Sequence, residues 1–486
     1  MAAWKGGRVR VHLRLAHARG DPGRSHARAS RVPGPRGAAR LLSGGRPAQR
    51  LRVPVARGAV PLLRGPLRAG AGAPGRGDLT LTAPLSGIRV LEVGQFMAAP
   101  FCTMQLADLG ADVVKVESPR GGDSVRGTGP FIDGESSPFL RLNRNKRSLA
   151  LDLKAPRGAE VLWRLVERAD ILVENLRPGT FARLGFPWEE LHRRNPGLIS
   201  VVASGWGQDG PLAQLAGLDI MAQARSGLMS ITGQPGGDPV KVGVPMCDLV
   251  CALYGALAAV SALHARDRTG EGQRIDVSLF EAGVSFSIWE AGRYFATGEI
   301  PQPQGSAHQA NAPYQAVRTE DGWVTIGAST ERNWRSFCEA LDLTALLEDD
   351  RYRTSNTRLA NRDSLIATIE ERTTRASTAH WTRVLEAAGV PCAPIQNYAQ
   401  VYSDAHLLAR DYFWDAPHPR DATEQVRQLG SPMRFSATPA RRDAAGPLLG
   451  EHSEAVLSEA GLTAQEIADL LEEGIAQIPQ EDVAAR

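Results

Sequence analysis

The chain has 486 residues, 43% hydrophobic and 22% charged, which is long enough for two or three domains with buried cores. Its net charge of +3 hides an asymmetry: residues 1–80 carry sixteen Arg and one Lys against Asp21 and Asp78, and the rest carries 39 basic and 51 acidic groups. A surface that follows nucleic-acid phosphates needs clustered positive charge, so the composition argues against nucleic-acid binding by the acidic remainder.

The N-terminal segment, residues 1–84, is rich in Arg, Gly and Pro, poor in acidic residues and without helical or strand periodicity. We expect it to be disordered and to lie outside the fold. Two origins fit this composition: an organelle transit peptide, against which the frequent Gly and Pro count, or an over-extended start of a bacterial-type protein, which we favour. The expected localisation is therefore cytoplasmic, with the mitochondrial matrix as the alternative if the segment is a transit peptide.

From Leu85 the chain alternates buried strands and helices. The segment SGIRVLEVG predicts a strand, QFMAAPFCTMQLADLG a helix that ends at Gly110, and ADVVKVES a second strand. This order is that of a right-handed βαβ unit on a parallel sheet. The helix-then-strand pattern recurs in APRGAEVLWRLVERA with DILVEN, and in PWEELHRRNP with LISVVAS. The repetition predicts a doubly wound α/β domain, and the absence of G-x-G-x-x-G after the first strand disfavours NAD.

A carboxylate stands where a strand-like run turns into an apolar helix, in KVGVPMCDLVCALYGALAAVSAL. From pattern alone, Asp248 is first of all a helix N-cap, because Asp oxygens accept from the free amides of a first helical turn. The same amides and the apolar surroundings would also hold a carboxylate still and poorly solvated in a cleft, as a nucleophile requires. The residues alone leave both interpretations open.

A smaller α+β domain is predicted at residues 305–405. The segment GSAHQANAPYQAVRTEDGWVTIGAS predicts a loop and a β-hairpin that turns at Asp321 and Gly322, and residues 330–395 are chiefly helical. Beyond it, RQLGSPMRFSATPA predicts a return strand and PLLGEHSEAVLSEAGLTAQEIADLLEEGI predicts terminal helices. Residues 406–486 are therefore expected to rejoin residues 85–304 in one discontinuous large domain.

The five cysteines are scattered, odd in number and mostly in apolar sequence, which predicts buried, reduced thiols. Cys247 and Cys251 lie one helical turn apart, but no His or second Cys pair completes a site, so no metal is expected. No uncharged apolar run reaches the eighteen or so residues of a membrane span, so no membrane association is expected.

Eight segments between Leu85 and about Ile475 are similar, in content and order, to one enzyme family. They are VLEVGQFMAAPFCTMQLADLGADVVKVESPRGGD, NRNKRSLALDLK, VENLRPG, RLGF, GWGQDGPLAQLAGLDIMAQARSGLMSITG, VGVPMCDLVCALYGALAA, RTGEGQRIDVSLFEA and PLLGEH. These segments resemble the family III CoA-transferases of the formyl-CoA and carnitine type. The resemblance implies that Asp248 is the acyl-accepting aspartate, with capping as the way in which it is held. It also implies an interlocked homodimer, and coenzyme A or acyl-CoA as substrate rather than as a permanently bound cofactor.

The resemblance further implies a set of CoA contacts. They are Met97 and Ala98 after the first strand, Leu151 and Lys154 in LDLK, Asn175, Leu176 and Arg177 in VENLRPG, and Arg183 in ARLGF. Lys and Arg would donate to the phosphates of CoA and the other residues would line a slot. The chain departs from the family at Ser118, where a basic residue is expected after KVE, so Arg120 or Arg126 is expected to compensate.

Two further features belong to the expected site. Asp219, in AGLDIMAQA, matches a second acidic position that some transferases carry, where it could orient substrate or cap its own helix. The segment from Gly305 to Pro313, which includes His308, is a candidate lid that would keep water from a reactive anhydride, or else a mere connection.

The main rival function is the 2-methylacyl-CoA racemase branch of the same fold, which abstracts an α-proton with a His–Asp pair. That His would fall at Leu218, which cannot titrate, so racemisation is disfavoured unless His192 or His308 substitutes. A non-catalytic CoA-binding protein is disfavoured by the presence of Asp248. For the acids exchanged, ITGQPGGDPVKVG and GSAHQANAPYQA are closest to the family members that use small dicarboxylates such as oxalate, succinate or glutarate.

Overall fold

The computed structural model describes residues 83–479. The predicted disorder of the leader falls on residues 1–82, outside this range. The strands of the described part are β1 Arg89–Val93, β2 Asp112–Glu117, β3 Phe131–Ile132, β4 Glu135–Ser136, β5 Lys146–Leu151, β6 Ile171–Glu174, β7 Ile199–Ser204, β8 Arg274–Ser278, β9 Tyr314–Arg318, β10 Trp323–Gly327, β11 Cys392–Pro394, β12 Phe413–Pro417, β13 Gln425–Leu429 and β14 Ala476–Gln477.

The helices of the same range follow the predicted alternation with the strands. They are α1 Ala98–Asp108, α2 Ser137–Leu142, α3 Pro156–Val166, α4 Thr180–Arg183, α5 Trp188–Arg194, α6 Asp219–Arg225, α7 Leu228–Ile231, α8 Met246–Thr269, α9 Leu279–Val284, α10 Ile288–Thr297, α11 Glu331–Ala340, α12 Ala345–Glu348, α13 Ser355–Ala360, α14 Arg362–Thr373, α15 Thr378–Ala387, α16 Tyr398–Val401, α17 Ala405–Ala409, α18 Ser453–Glu459 and α19 Ala464–Glu472. A single 3₁₀ turn, Ser124–Gly127, is found in the described range.

The large sheet has the strand order β14-β5-β2-β1-β6-β7-β8. All neighbouring pairs are parallel except β14 with β5, which is antiparallel. Leu91 and Val93 of β1 pack on one face with α3, α18 and α19, while Val90 packs on the other face with α1 and α8. Helices thus cover both faces, which confirms the predicted doubly wound α/β class. The chain reverses direction across the sheet between β1 and β6, and such a switch point opens a crevice at the carboxyl ends of the strands.

A separate three-stranded antiparallel sheet, β11-β10-β9, packs against α11, α14 and α15. The hairpin between β9 and β10 closes with the Thr319 amide donating to the Gly322 carbonyl, so the turn lies where the sequence predicts it. The apolar core under this sheet is formed by residues between Val317 and Cys392. The predicted boundaries 305–405 of a small domain stay a prediction.

The C-terminal return to the large sheet is made by β14, not by the segment RQLGSPMRFSATPA. That segment contributes β13, which pairs with β12 in a two-stranded hairpin packed on Leu140. The return strand was missed because two residues after α19 are too short to show a period.

Helix α8 has 24 residues and is long and apolar enough to cross a membrane by length and composition. Half of its most apolar stretch is buried among the other described residues. The sequence prediction concerned uncharged runs, and the length of α8 does not contradict it, because this helix includes Asp248 near its start and Arg266, Asp267 and Arg268 near its end. The absence of membrane association stays a prediction. The five cysteines are free thiols, and Cys392 is less buried than the other four.

Candidate active site

Asp248 is the third residue of α8, so the sequence prediction that it caps this helix is wrong. The N-cap position belongs to Pro245, which has no side-chain acceptor for the amides of the first turn. Within residues 83–479 no group donates a hydrogen bond to the Asp248 carboxylate, and the side chain is partly buried. Its carboxylate oxygens therefore accept none of the hydrogen bonds that stabilise the fold.

Asp219 supplies the acceptor that Pro245 lacks. Its Oδ1 accepts from the amide of Cys247 at 2.9 Å and from the amide of Asp248 at 3.4 Å. The first turn of a helix leaves such amides without partners, and here a neighbouring helix satisfies them. Asp219 is the first residue of α6, whose N-cap is Leu218, so it caps α8 and not its own helix.

The pKa of Asp248 is raised from 3.8 to about 7, first by burial and then by the negative charge of Asp219. Burial and the same carboxylate raise the pKa of the adjacent Cys247 to about 11, so this thiol is neutral at pH 7. A carboxylate of raised basicity that remains accessible is suited to attack a carbonyl carbon.

A cleft of about 270 Å³ lies at the carboxyl ends of β1, β2, β5 and β6, and three of the eight predicted CoA residues line it. Leu151, Lys154, Leu176 and Ser118 line it directly. This position is the switch point of the sheet, where ligands of doubly wound folds bind. The fold therefore collects, around one crevice, residues that are far apart in sequence.

Asn175 holds the loop that forms one wall of this cleft. Its Oδ1 accepts from the Gln95 amide at 3.0 Å and its Nδ2 donates to the Gln95 carbonyl at 2.8 Å. A Cβ on Gly94 would lie 2.6 Å from the Ala99 Cβ and 2.8 Å from the Asn175 Oδ1, so only glycine allows this close approach. Asn175 thus shapes the cleft, as an indirect contributor to binding.

Met97 and Ala98 connect the cleft to Asp248. Met97 is the N-cap of α1 and has no side-chain cap, so the first amides of α1 lack a side-chain acceptor there. Ala98 is buried in one cluster with Cys247 and Cys251 of α8. The N-terminal ends of α1 and α8 therefore lie side by side, one next to the cleft and the other carrying Asp248.

The basic residues differ in how free they are. Lys154 and Arg177 are exposed and form no ion pair within residues 83–479, and Arg183 donates to Thr180 Oγ1 in the same turn. Of the two candidates to replace the base missing at Ser118, Arg126 is held by Glu117 and the Pro447 carbonyl. Arg120 has an 82% exposed side chain paired with Asp152 on the cleft wall, which leaves it the better placed of the two.

A buried network of charges under the cleft was not foreseen from sequence. Lys115 Nζ lies 2.9 Å from Asp123 Oδ2, forms an ion pair with Glu92 and donates to the Gly94 carbonyl. Lys146 Nζ lies 2.8 Å from Glu92 Oε2, and Asp123 accepts from the Phe96 amide. These contacts fix the β1–α1 loop from below. The available signal was a charged residue inside the apolar runs RVLEV and DVVKVE.

The candidate lid is tied to another loop. The Gly305 amide donates to the Gly233 carbonyl, and the φ of +59° at Gly305 favours glycine. His308 packs between Trp289 and Tyr314. Within residues 83–479 no hydrogen bond joins Gly305 or His308 to Asp248, and neither of two cavities that Gly305 lines includes Asp248. His192 lies on α5 near Glu271, and thus neither histidine is brought to the place of the racemase base.

The part of the chain between residues 83 and 479 contains no group of three or more His, Cys, Asp or Glu residues arranged to hold a metal ion.

Comparison with known proteins identifies the family. The chain is 37% identical over 403 residues to mouse succinyl-CoA:glutarate CoA-transferase, covering 82% of this chain and 92% of the relative. It is 39% identical over 387 residues to succinyl-CoA:mesaconate CoA-transferase of Haloarcula hispanica, covering 78% and 96%. A crystal structure of a CAIB/BAIF family protein from Brucella suis aligns with a TM-score of 0.71 and 37% identity over 78% of this chain and all of that one. Residues 85–453 match CoA-transferase family III, and the chain belongs to this family of CoA-transferases.

Proposed function

We propose that the enzyme moves CoA from succinyl-CoA or a similar acyl-CoA to a second small dicarboxylate, through covalent intermediates on Asp248. The observation that carries this proposal is the accessible Asp248 carboxylate, which lies beside the helix that borders the cleft. Asp219 caps α8 in its place, and the pKa of Asp248 is raised to about 7. The acids are suggested by the names of relatives, which pair succinyl-CoA with glutarate, mesaconate or D-citramalate.

The reaction proceeds by exchange at one carboxyl group. The ionised Asp248 attacks the thioester carbonyl, the C–S bond breaks, and the CoA thiolate leaves with the electron pair, which gives an aspartyl-acyl anhydride. The thiolate then attacks the aspartyl carbonyl, releases the donor acid as a carboxylate and forms an aspartyl-CoA thioester. The acceptor carboxylate repeats both steps in reverse. No proton is consumed, and the energy of the thioester is conserved.

Water must be excluded while the anhydride exists, and we assign this role to the segment from Gly305 to Pro313 in the assembled enzyme.

A homodimer, implied by the family resemblance, is supported by apolar side chains on α8 and α10 that the single chain leaves in solvent. Leu257 is 64% exposed, Trp289 67% and Phe295 83%. Exposed apolar side chains of this kind are typical of a protein interface, and we propose a second copy of the chain as the partner. Light scattering after gel filtration should give twice the chain mass, and Phe295→Glu should shift the measured mass toward that of the single chain.

We place the enzyme in the cytoplasm, with the mitochondrial matrix as the alternative that cell fractionation would distinguish.

The covalent role is tested by trapping. Incubation with succinyl-CoA and hydroxylamine should convert Asp248 to a hydroxamate, which peptide mass spectrometry detects. Asp248→Asn should abolish both the adduct and CoA exchange, whereas Asp363→Asn, which changes another first-turn aspartate on α14, should leave both intact. Full turnover in Asp248→Asn, or turnover of the wild type without an adduct, would reject the proposal. A panel of acceptor acids with succinyl-CoA as donor would identify the second acid.

A further inference from the structure

Gln223 is a buried side chain that the reaction described above does not use. It lies on α6, one turn after Asp219, and has no exposed surface. Its Nε2 donates to Asp219 Oδ2 at 2.6 Å, and its Oε1 accepts from the Val242 amide at 2.9 Å. A carboxylate can only accept and a backbone amide can only donate, so these two partners fix the orientation of the side-chain amide.

The contacts of Gln223 continue to the first turn of α8. Asp219 uses Oδ2 for Gln223 and Oδ1 for the amides of Cys247 and Asp248. Val242, which donates to Gln223, lies in the segment that leads into α8. One glutamine therefore holds both the acceptor that caps α8 and the chain that enters this helix.

We propose that Gln223 is a positioning residue for CoA transfer, which orients Asp219 so that the first turn of α8 presents the Asp248 carboxylate to the thioester. The proposal rests on the nucleophilic role of Asp248 proposed above. Gln223 does not line the cleft, so it acts through Asp219 and not through contact with CoA. A hydrogen bond to a charged acceptor is among the stronger ones in proteins, and a displacement of about 1 Å at a reacting group costs on the order of 100-fold in rate.

Asp219 is the charged neighbour through which the pH dependence of Asp248 would respond. The remaining titratable or charged side chains on the elements packed against α8, apart from α8 itself, are Cys102 and Asp108 of α1, Arg225 of α6, Arg274 and Asp276 of β8, and Glu281 of α9. Burial raises the pKa of Cys102 to about 12, and it raises the pKa of Asp276 as well.

The test uses Gln223→Met, which keeps the shape and removes both hydrogen-bonding atoms. We expect kcat to fall about 10- to 100-fold, with the KM for succinyl-CoA within about threefold of wild type. The acid limb of the kcat profile should move to lower pH, because Asp219 is no longer held against Asp248. Gln428→Met is the matched control: Gln428 is equally buried, donates to the Leu140 carbonyl and touches no residue of the site, so its kcat should be unchanged.

A double-mutant cycle separates positioning from general damage. If Gln223 acts through Asp219, the double variant Asp219→Asn/Gln223→Met should be no slower than Asp219→Asn alone. Two losses that multiply in full, or a kcat of Gln223→Met within twofold of wild type, would overturn the proposal. If Gln223→Met does not fold, Gln223→Asn keeps a side-chain amide in the interior but is one methylene too short to reach both Asp219 and Val242, and it carries the same expectation. Adduct formation on wild-type Asp248 is measured in parallel, so that a failure of the covalent mechanism is distinguished from a failure of this inference.

Discussion

Lys115 is the residue whose removal tests the buried network beneath the cleft. Its side chain is fully buried and forms ion pairs with Glu92 and Asp123, which are also fully buried. Replacing Lys115 with Met keeps most of the length of the unbranched side chain, removes its charge and leaves two carboxylates without this partner. Breaking a buried ion pair from one side costs about 3–5 kcal/mol, because a charge stays in the interior without compensation.

The pKa of Glu92 gives a second figure for this network. It is lowered from 4.5 to about 2, because Lys115 and then Lys146 outweigh the cost of burial. At 1.36 kcal/mol per pKa unit, this corresponds to roughly 3 kcal/mol of stability. Because the folded pKa is the lower one, this contribution is complete above pH 4.5 and is lost as the pH falls toward 2. Lys115→Met should therefore lower the free energy of unfolding by the full amount at pH 7, and its acid unfolding should begin at a higher pH than that of the wild type.

The measurement is urea unfolding at pH 7, followed by tryptophan fluorescence and circular dichroism. Arg157→Met is the control, because Arg157 pairs with Glu473 at the surface, with side chains 39% and 49% exposed. Exposed pairs contribute about 0.2–1 kcal/mol, so this variant should unfold close to wild type. A loss below about 1 kcal/mol in Lys115→Met would show that the network does not stabilise the fold as argued. Lys115 also donates to the Gly94 carbonyl in the cleft wall, so the KM for acyl-CoA should rise in the same variant.

Three further predictions concern single residues. Lys154→Ser should raise the KM for acyl-CoA about tenfold without changing kcat, because a charge-assisted contact to phosphate is lost, and the difference measured by initial rates should shrink at high salt. Burial raises the pKa of Glu174 from 4.5 to about 7, so native protein takes up a proton there and stability should fall as the pH rises from 4.5 to 7. Glu174→Gln should flatten that slope in thermal melts across this range, and an unchanged slope would contradict the assignment. Gly305→Val should disrupt the loop that holds Gly305 against Gly233, because valine at a φ of +59° is strained and its Cβ meets Gln234, and faster amide hydrogen exchange at residues 305–313 would report it.

How much of the molecule the sequence predicts depends on the range over which each signal acts. The βαβ order is visible because the apolar periods of β1, α1 and β2 are local, and the structure confirms it. Two-residue β14 has no period to detect. Glu92, Lys115 and Lys146 stand on three strands, and their meeting depends on strand order, which no single segment contains.

The same distinction explains why Asp248 was found while its manner of support was not. The change from a polar run to an apolar helix locates this carboxylate within a few residues, and the simplest physical role at such a place is to cap the helix. Capping requires a hydrogen-bond acceptor, however, and this acceptor can belong to a neighbouring helix, which the local sequence does not reveal. Asp219 lies 29 residues earlier in the chain and reaches the amides of α8 only because α6 packs against it. A carboxylate that caps a helix accepts hydrogen bonds from backbone amides, which lowers its pKa. Asp248 accepts none of these bonds because Asp219 accepts them instead, and the negative charge of Asp219 raises the pKa of Asp248. Asp219 therefore stabilises the first turn of α8, and the Asp248 carboxylate in the same turn stays available as a nucleophile.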